Sequence, residues 1–435
     1  MAAPHRSFLV TNGLIEEEVA HAIADWNRTL QDRGVTEYGL RTIVRGEILS
    51  MAQDMADIVW PSELRDMKAM FELLVEDGRA RFPKEKFASI IEDAMGLKDA
   101  KKTRLQKAKR SVASASLVAA VALTNFSAMN NYTAEADCWA IFMFSASAFI
   151  TKSGLSFSHF HGTLALAMSC LTDSLTALAQ EAVDRPSLLQ GDPITDKLLT
   201  ETRRTHLTGY LSSLYFLRRE QQIPEDDLDD HLRKFCADLS RPLYLWGESA
   251  VPFFFGKYLI VRNAGPGSKA DTLLVSLLDH LIAANKHADV WPFPNVYYDV
   301  QYVFERTLGV PAPKNQEKFS GYSYAIEGIV LILARRLWKQ ALKVRWASIC
   351  DISHDSYFPE NDSEFFRWGS QVGDNHSRLF DSPTSWPSLR QESRDLTFKF
   401  IPEYAKQNKA LLYLLLVVYP HRLRADVLRF LDENL

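Results

Sequence analysis

The chain has 435 residues, 47% of them apolar and 24% charged, with a formal net charge of −4. That is ordinary globular composition with enough apolar residues for a sizeable core. It excludes a low-complexity chain and a nucleic-acid binder acting through bulk charge, so any polyanion site must be a local patch.

The first eighteen residues, MAAPHRSFLVTNGLIEEE, hold an apolar run of only residues 8–10, too short for a secretory signal. No lipidation or retention signature is present. Apolar residues then step by threes and fours along Ile15, Val19, Ala22, Trp26 and Leu30. The same step runs through Leu40, Val44, Ile48, Met51, Met55 and Ile58, and through Leu64, Met67, Phe71 and Leu74. Each set predicts a helix with one apolar side. Gly34, Trp60-Pro61-Ser62 and Phe82-Pro83 punctuate between them.

Residues 98–110, KDAKKTRLQKAKR, form a first basic stripe of Lys101, Lys102, Arg104, Lys107, Lys109 and Arg110. Behind it, residues 111–172 carry only Glu135, Asp137 and Lys152 as charges. A basic flank before an apolar stretch is the pattern of a membrane anchor on the cytoplasmic side. However, the stretch is rich in serine and holds Asn125, Asn130 and Asn131. Small residues also pack closely in soluble cores. The main expectation is a buried cluster of central helices, and membrane insertion through 111–172 is the alternative.

His159 and His161 follow in a Ser/Gly-containing turn that leads into a helix starting near Gly162-Thr163. With Cys138 or Cys170 they could supply ligands to a metal, although no spacing demands it. The four cysteines, Cys138, Cys170, Cys236 and Cys350, are far apart without a CxxC pair, which reads as reduced thiols.

Asp184-Arg-Pro-Ser and Gln190-Gly-Asp-Pro mark the best boundary. They suggest an N-terminal helical domain, 1–187, with apolar central helices in 111–182, and a C-terminal helical domain, 195–435. No fixed repeat period appears. Helical steps resume at Leu207, Tyr210, Leu214 and Leu217.

Asp226-Asp227-Leu228-Asp229-Asp230 satisfies DDxxD. One helical turn puts Asp226 and Asp230 on one face, where two carboxylates suit a hard cation. The string resembles the motif that holds Mg²⁺ and a diphosphate in isoprenoid synthases, which are all-helical. Those aspartates sit in an apolar helix wall, whereas Gln221-Gln-Ile-Pro-Glu precedes them here. Asn361-Asp362 lies where a second metal motif could fall, but Phe365 and Gly369 replace its other ligands. A helix start with Pro224 and a dipole-matched acidic first turn is the plainer reading.

Residues 253–263, FFFGKYLIVRN, give the best strand pattern, but one strand makes no stable sheet, so helix or loop is expected. Residues 263–274 faintly resemble a phosphate loop without its GKS/GKT order. Ser268 as a cap before a helix explains them. Ile326, Val330, Leu333, Leu337, Ala341 and Val344 predict one long helix. It would carry a second basic stripe of Arg335, Arg336, Lys339, Lys343 and Arg345, with Arg336, Lys339 and Lys343 on one outer face. CDISHDSYF holds Asp351, His354 and Asp355 and resembles the His-Asp pair of HD-type hydrolases. His287, the nearest upstream histidine, is distant, and the segment reads as a loop. No GxSxG or HExxH is present. The run 410–419 ends at Pro420, too short to span a bilayer.

The sequence therefore predicts an all-α fold, a large multi-helix bundle or irregular helical array with little or no β-sheet. The leading functional expectation is a non-enzymatic, cytoplasmic interaction or scaffold subunit of a larger assembly, with protein partners. Its basic faces (Lys101, Lys102, Arg104, Lys107, Arg110; Arg336, Lys339, Lys343) could meet nucleic acid or another polyanion. The alternatives are a Mg²⁺-dependent enzyme on a phosphate ester or diphosphate, a membrane-associated component, and an accessory protein of a bacterial defence-type system. No residue supports the last. No other cofactor is predicted.

Overall fold

The computed structural model describes residues 7–11, 15–34, 39–44, 47, 50, 67–189, 197–238, 247–264, 268–286, 321–367, 374–418 and 424–434. Among them lie 18 helices and five short strands, an all-α array with only small sheets. The chain divides into two compact units, residues 1–63 and 64–435.

In the first unit, β1 (Ser7–Val10) is followed by α1 (Glu17–Asp32) and β2 (Leu40–Ile43), and the two strands pair in parallel with Phe8 opposite Arg41. The Asn27 side chain clamps α1 to β2, donating to the Leu40 carbonyl at 2.9 Å and accepting its N–H at 2.7 Å. One expectation fails here. The helix read from Leu40 onward starts as a strand, and its later positions are mostly outside the described residues. The helix expected over residues 15–30 is present as α1, with its apolar stripe unburied: Trp26 is 59% exposed and no residue of the helix is buried.

The second unit begins with α2 (Met67–Leu74), α3 (Lys84–Met95), α4 (Leu105–Ala122) and the short α5 (Thr124–Ala128). The last three pack on α6 (Tyr132–Ser153), which is buried continuously over residues 136–150. A helix apolar on all sides belongs in a core. Asn131 caps its start by accepting from Ala134 N–H, and Gly154, with φ 66°, ends it in the left-handed region that glycine tolerates. The asparagines that argued against a membrane span have structural roles. Asn125 donates to the Leu74 carbonyl at 2.7 Å, and Asn131 donates to the Gly78 and Ala80 carbonyls at 2.9 and 3.0 Å. Small residues on α4, such as Ala108, Ser111, Ala115 and Ala119, form its buried face.

Next come α7 (His161–Asp184), α8 (Lys197–Glu220), α9 (Asp227–Ala237), α10 (Val251–Asn263) and α11 (Ser268–Lys286). The helices flanking 187–195, α7 and α8, pack against each other within the same unit. FFFGKYLIVRN is helical. Its packing on α8 is close: a Cβ at Gly256 would lie 2.7 Å from Ser212 Cβ, and one at Gly209 would lie 2.1 Å from the Phe253 ring. Among the described residues one helical stretch, Phe157–Asp184, is long and apolar enough to cross a membrane, with a best-window mean hydropathy of 1.3.

The chain then forms β3 (Tyr322–Ser323), α12 (Ile326–Arg335), α13 (Lys339–Cys350), β4 (Ser353–Phe358), α14 (Asp362–Phe365) and β5 (Asp374–Arg378). The sheet order is β3-β4-β5, parallel then antiparallel, with His354 opposite Arg378. It ends with α15 (Trp386–Asp395), α16 (Glu403–Gln407), α17 (Lys409–Val418) and α18 (Ala425–Glu433). α17, the run before Pro420, lies in the core against α6, α8 and α10.

Polar groups inside this core are specific. Asp137 on α6 lies 2.8 Å from the Lys84 ammonium at the start of α3 and accepts from the Tyr210 hydroxyl of α8 at 2.9 Å. Burial pushes Lys84 below its ordinary range, against the pull of Asp137, and pushes Tyr210 upward together with that carboxylate. Asp137→Ala leaves the Lys84 charge buried without its carboxylate. It should cost about 3–5 kcal/mol in urea unfolding, and Lys84→Met in the same chain should restore much of it. Equal losses in the single and double variants would show that the pair is not what holds these helices.

Glu248 is fully buried in the turn before α10, where its Oε2 accepts from Tyr324 N–H at 2.9 Å and its Oε1 has no hydrogen-bond partner. Burial raises its carboxyl to about 8, opposed by hydrogen bonding from Ser323 and the Tyr324 amide. The folded chain thus keeps this proton after the unfolded chain has lost its own. The stabilising contribution is complete below about pH 4.5 and disappears as pH rises through 8. At about 1.4 kcal/mol per pH unit this amounts to roughly 4–5 kcal/mol. Glu248→Gln should remove that slope from chemical-denaturation curves recorded between those pH values.

Candidate functional site

The predicted metal groups do not assemble. His159 sits in the turn before α7 and His161 opens α7, and both are exposed. Cys138 is buried, and all four cysteines are free. Among the described residues no group of three or more His, Cys, Asp or Glu is placed to hold a metal ion.

The acidic cluster begins a helix. Asp226 accepts from the N–H groups of Leu228 and Asp229 at 3.0 and 3.3 Å, and Asp229 accepts from Asp226 N–H at 3.1 Å, closing a capping box. Arg218 of α8 binds both, through Nη2 to Asp226 at 2.9 Å and through Nε and Nη2 to Asp229 at 3.0 and 2.9 Å. Asp230 is exposed beside Arg233 at 3.4 Å. Asp226 and Asp230 therefore serve separate partners. His354 and Asp355 diverge for a different reason: the expected loop is strand β4, and neighbouring strand residues face opposite ways. His354 is fully buried with its ring 4.8 Å from that of Phe380, and neither ring nitrogen has a hydrogen-bond partner. Asp355 accepts from Ser353 and Ser377 at 3.2 and 2.7 Å.

The arginines of the second basic stripe are paired with acids of the protein. The expected long helix stops at Arg335. Leu337, at φ 67°, turns the chain, and α13 starts anew, leaving Val344 68% exposed where a core position was expected. Arg336 binds Asp271 and, at 2.6 Å, Asp432. Arg345 holds Asp279 at 2.6 Å through both Nε and Nη2, and Arg335 meets Glu433. Arg336, Lys339 and Lys343 therefore share no helix face. Only the two lysines are exposed.

The first stripe is a surface feature. Lys101 lies in a 3₁₀ turn, Leu97–Lys102, Arg104 is the N-cap of α4, and Lys109 and Arg110 lie in its first two turns. All four are exposed and have no ion pair among the described residues, and Lys107 is exposed between them. The side chain of Lys102 is outside the described residues. No acid stands in the first turn of α4. Arg104, the N-cap, and Lys107 in the first turn stand at the positive end of the helix dipole, an unfavourable placement that an anion offsets.

A cavity of about 340 Å³ lies between α7, α8, α9 and α10. α8 offers it Arg204, Thr208 and Leu211, spaced for one helix face, and α9 offers Leu228, His231, Leu232 and Phe235 at the same step. Ala179, Ala182 and Val183 of α7 close one side. Lys257 of α10 reaches in from the fourth helix. It is 3% exposed and donates to the Asp238 carbonyl at the end of α9. Burial lowers its pKa, with Arg204 acting the same way and Asp238 opposing. Sequence reading passed over this site. Its signal was Lys257, a lysine inside the apolar run FFFGKYLIVRN.

No protein-family model, curated protein or solved structure matches the chain.

The capping role makes a prediction. Asp226→Ala should cost about 1 kcal/mol, the loss of a cap. Asp229→Ala should cost about 3 kcal/mol, because it strips a buried carboxylate from Arg218. Millimolar Mg²⁺ should leave the Tm unchanged, and a metal-dependent rise lost in Asp226→Ala would restore the metal reading.

Proposed function

We propose that this protein is a non-catalytic helical interaction subunit that docks a polyanion, with nucleic-acid phosphates as the best match, on the ridge from Lys101 to Arg110. One observation carries the reading. Lys101, Arg104, Lys109 and Arg110 stand exposed there without carboxylate partners among the described residues, around a helix start with no acid in its first turn. Elsewhere arginines are largely committed: Arg218, Arg262, Arg336, Arg367 and Arg424 all hold acids within the protein. Phosphate groups would pair with the ridge cations and meet the start of α4, where no N-cap side chain bonds the backbone. Binding of this kind carries little base specificity and falls steeply with salt.

The test is fluorescence anisotropy with a labelled nucleic-acid duplex and a single strand at several salt concentrations. Binding should weaken with salt. A Lys101→Glu/Arg104→Glu/Lys109→Glu/Arg110→Glu variant should lose it and flatten the logarithmic salt slope by roughly 3–4, about 0.9 per phosphate contact on a duplex. Lys339→Glu/Lys343→Glu should leave it unchanged. Binding that survives the ridge substitutions would overturn the reading. Failure to bind nucleic acid, with a companion protein lost from native pull-downs of the ridge variant, would reassign the ridge to an acidic protein partner.

A further inference from the structure

We infer that the cavity between α7, α8, α9 and α10 is a binding site for a small amphipathic anion, an apolar body with a phosphate or carboxylate head. The site shares no residue with the ridge. The cavity's volume, about 340 Å³, falls in the range of small-molecule sites. Its lining is of two kinds. Ala182, Leu211, Leu228 and Phe235 give it apolar sides, while Arg204, Lys234 and Lys257 bring three cations against the single carboxylate of Asp238. Thr208 and His231 add polar groups.

A purely structural account covers part of this. Lys257 binds a carbonyl at the C-terminal end of α9, where a cation suits the dipole. The space itself stays open even though Arg204, Lys234 and Lys257 all line it. The close packing of Gly256 on Ser212 places α10 where it must be for Lys257 to enter. Burial of Lys257 in this setting carries a desolvation cost that an anion beside it would offset.

The test is isothermal titration of the purified full chain with decyl phosphate, decanol and inorganic phosphate. Decyl phosphate should bind saturably at one site. The alcohol, which lacks the head, and inorganic phosphate, which lacks the body, should each bind at least about tenfold more weakly. Val183→Trp narrows the cavity from its 38% exposed rim, and Arg204→Gln removes a head-group cation. Each should weaken decyl phosphate by about tenfold or more, and Arg204→Gln should leave decanol unaffected. The fourfold ridge variant should bind decyl phosphate like the parent chain, which separates this site from the ridge. Equal binding of decanol and decyl phosphate would overturn the inference, as would no binding of decyl phosphate. If Arg204→Gln does not fold, unchanged affinity in Val183→Trp overturns it alone.

Discussion

The second unit depends on one buried carboxylate. α6 is enclosed on all sides, so its position could be satisfied by many apolar packings of similar quality. Asp137 removes that freedom. It must face both the Lys84 ammonium and the Tyr210 hydroxyl, which fixes α6 relative to α3 and α8 in rotation and in height. Once α8 is set, Gly209 and Gly256 let α10 approach it at backbone distance, and α9 lies across both. The cavity is the space these four-way contacts leave beside α7. The position of Lys257 within it is therefore a distant consequence of Asp137.

Much of this array was legible in the sequence because burial in helices leaves a periodic trace. Of the steps through Leu207, Tyr210, Leu214 and Leu217, the last three lie in the buried stretch of α8, and the uncharged stretch around α6 marks a helix with no solvent side. The failures share a cause: periodicity reports which residues are apolar, not which neighbours exist. The stripe of α1 is as regular as that of α8, yet Trp26 stays 59% exposed. Leu40 and Val44 fit a helical step, but the Asn27 side chain bonds the backbone of Leu40 on both sides and β1 supplies a strand to pair with. At residues 326–344 the apolar step runs straight through Leu337, whose positive φ ends the regular helix. Strand β4 hid because its partners, β3 and β5, are short and polar.

Charge was harder to read for a related reason. The partner of a cation is seldom close in sequence. Arg336 finds Asp271 and Asp432, 65 and 96 residues away, and Arg367 finds Glu92 at 275. Through such pairs α18 becomes a clasp. Asp432 accepts from Tyr258, Arg262 and Arg336, joining the end of the chain to α10 and to the turn after α12. The two basic stripes looked alike as strings, but the arginines of one hold acids within the protein, Arg336 closing this clasp, while the other faces solvent. Only the acidic cluster carried its role locally, because a capping box is completed within four residues.

The ridge and the cavity differ in what a ligand would change. On the ridge the cations are hydrated, so an anion gains mainly by releasing counterions and relieving repulsion, and that gain fades with salt. In the cavity Lys257 has already given up its water, at a cost met by the packing of four helices. A head group there meets a cation held in place and poorly solvated, where electrostatic attraction is stronger and screening weaker. The first arrangement suits a long, replaceable polyanion, and the second suits one small molecule held in a fixed pose. Neither needs the other, because α4 carries the ridge and contributes no residue to the cavity. A chain with both could take up a small ligand while docked to a large one.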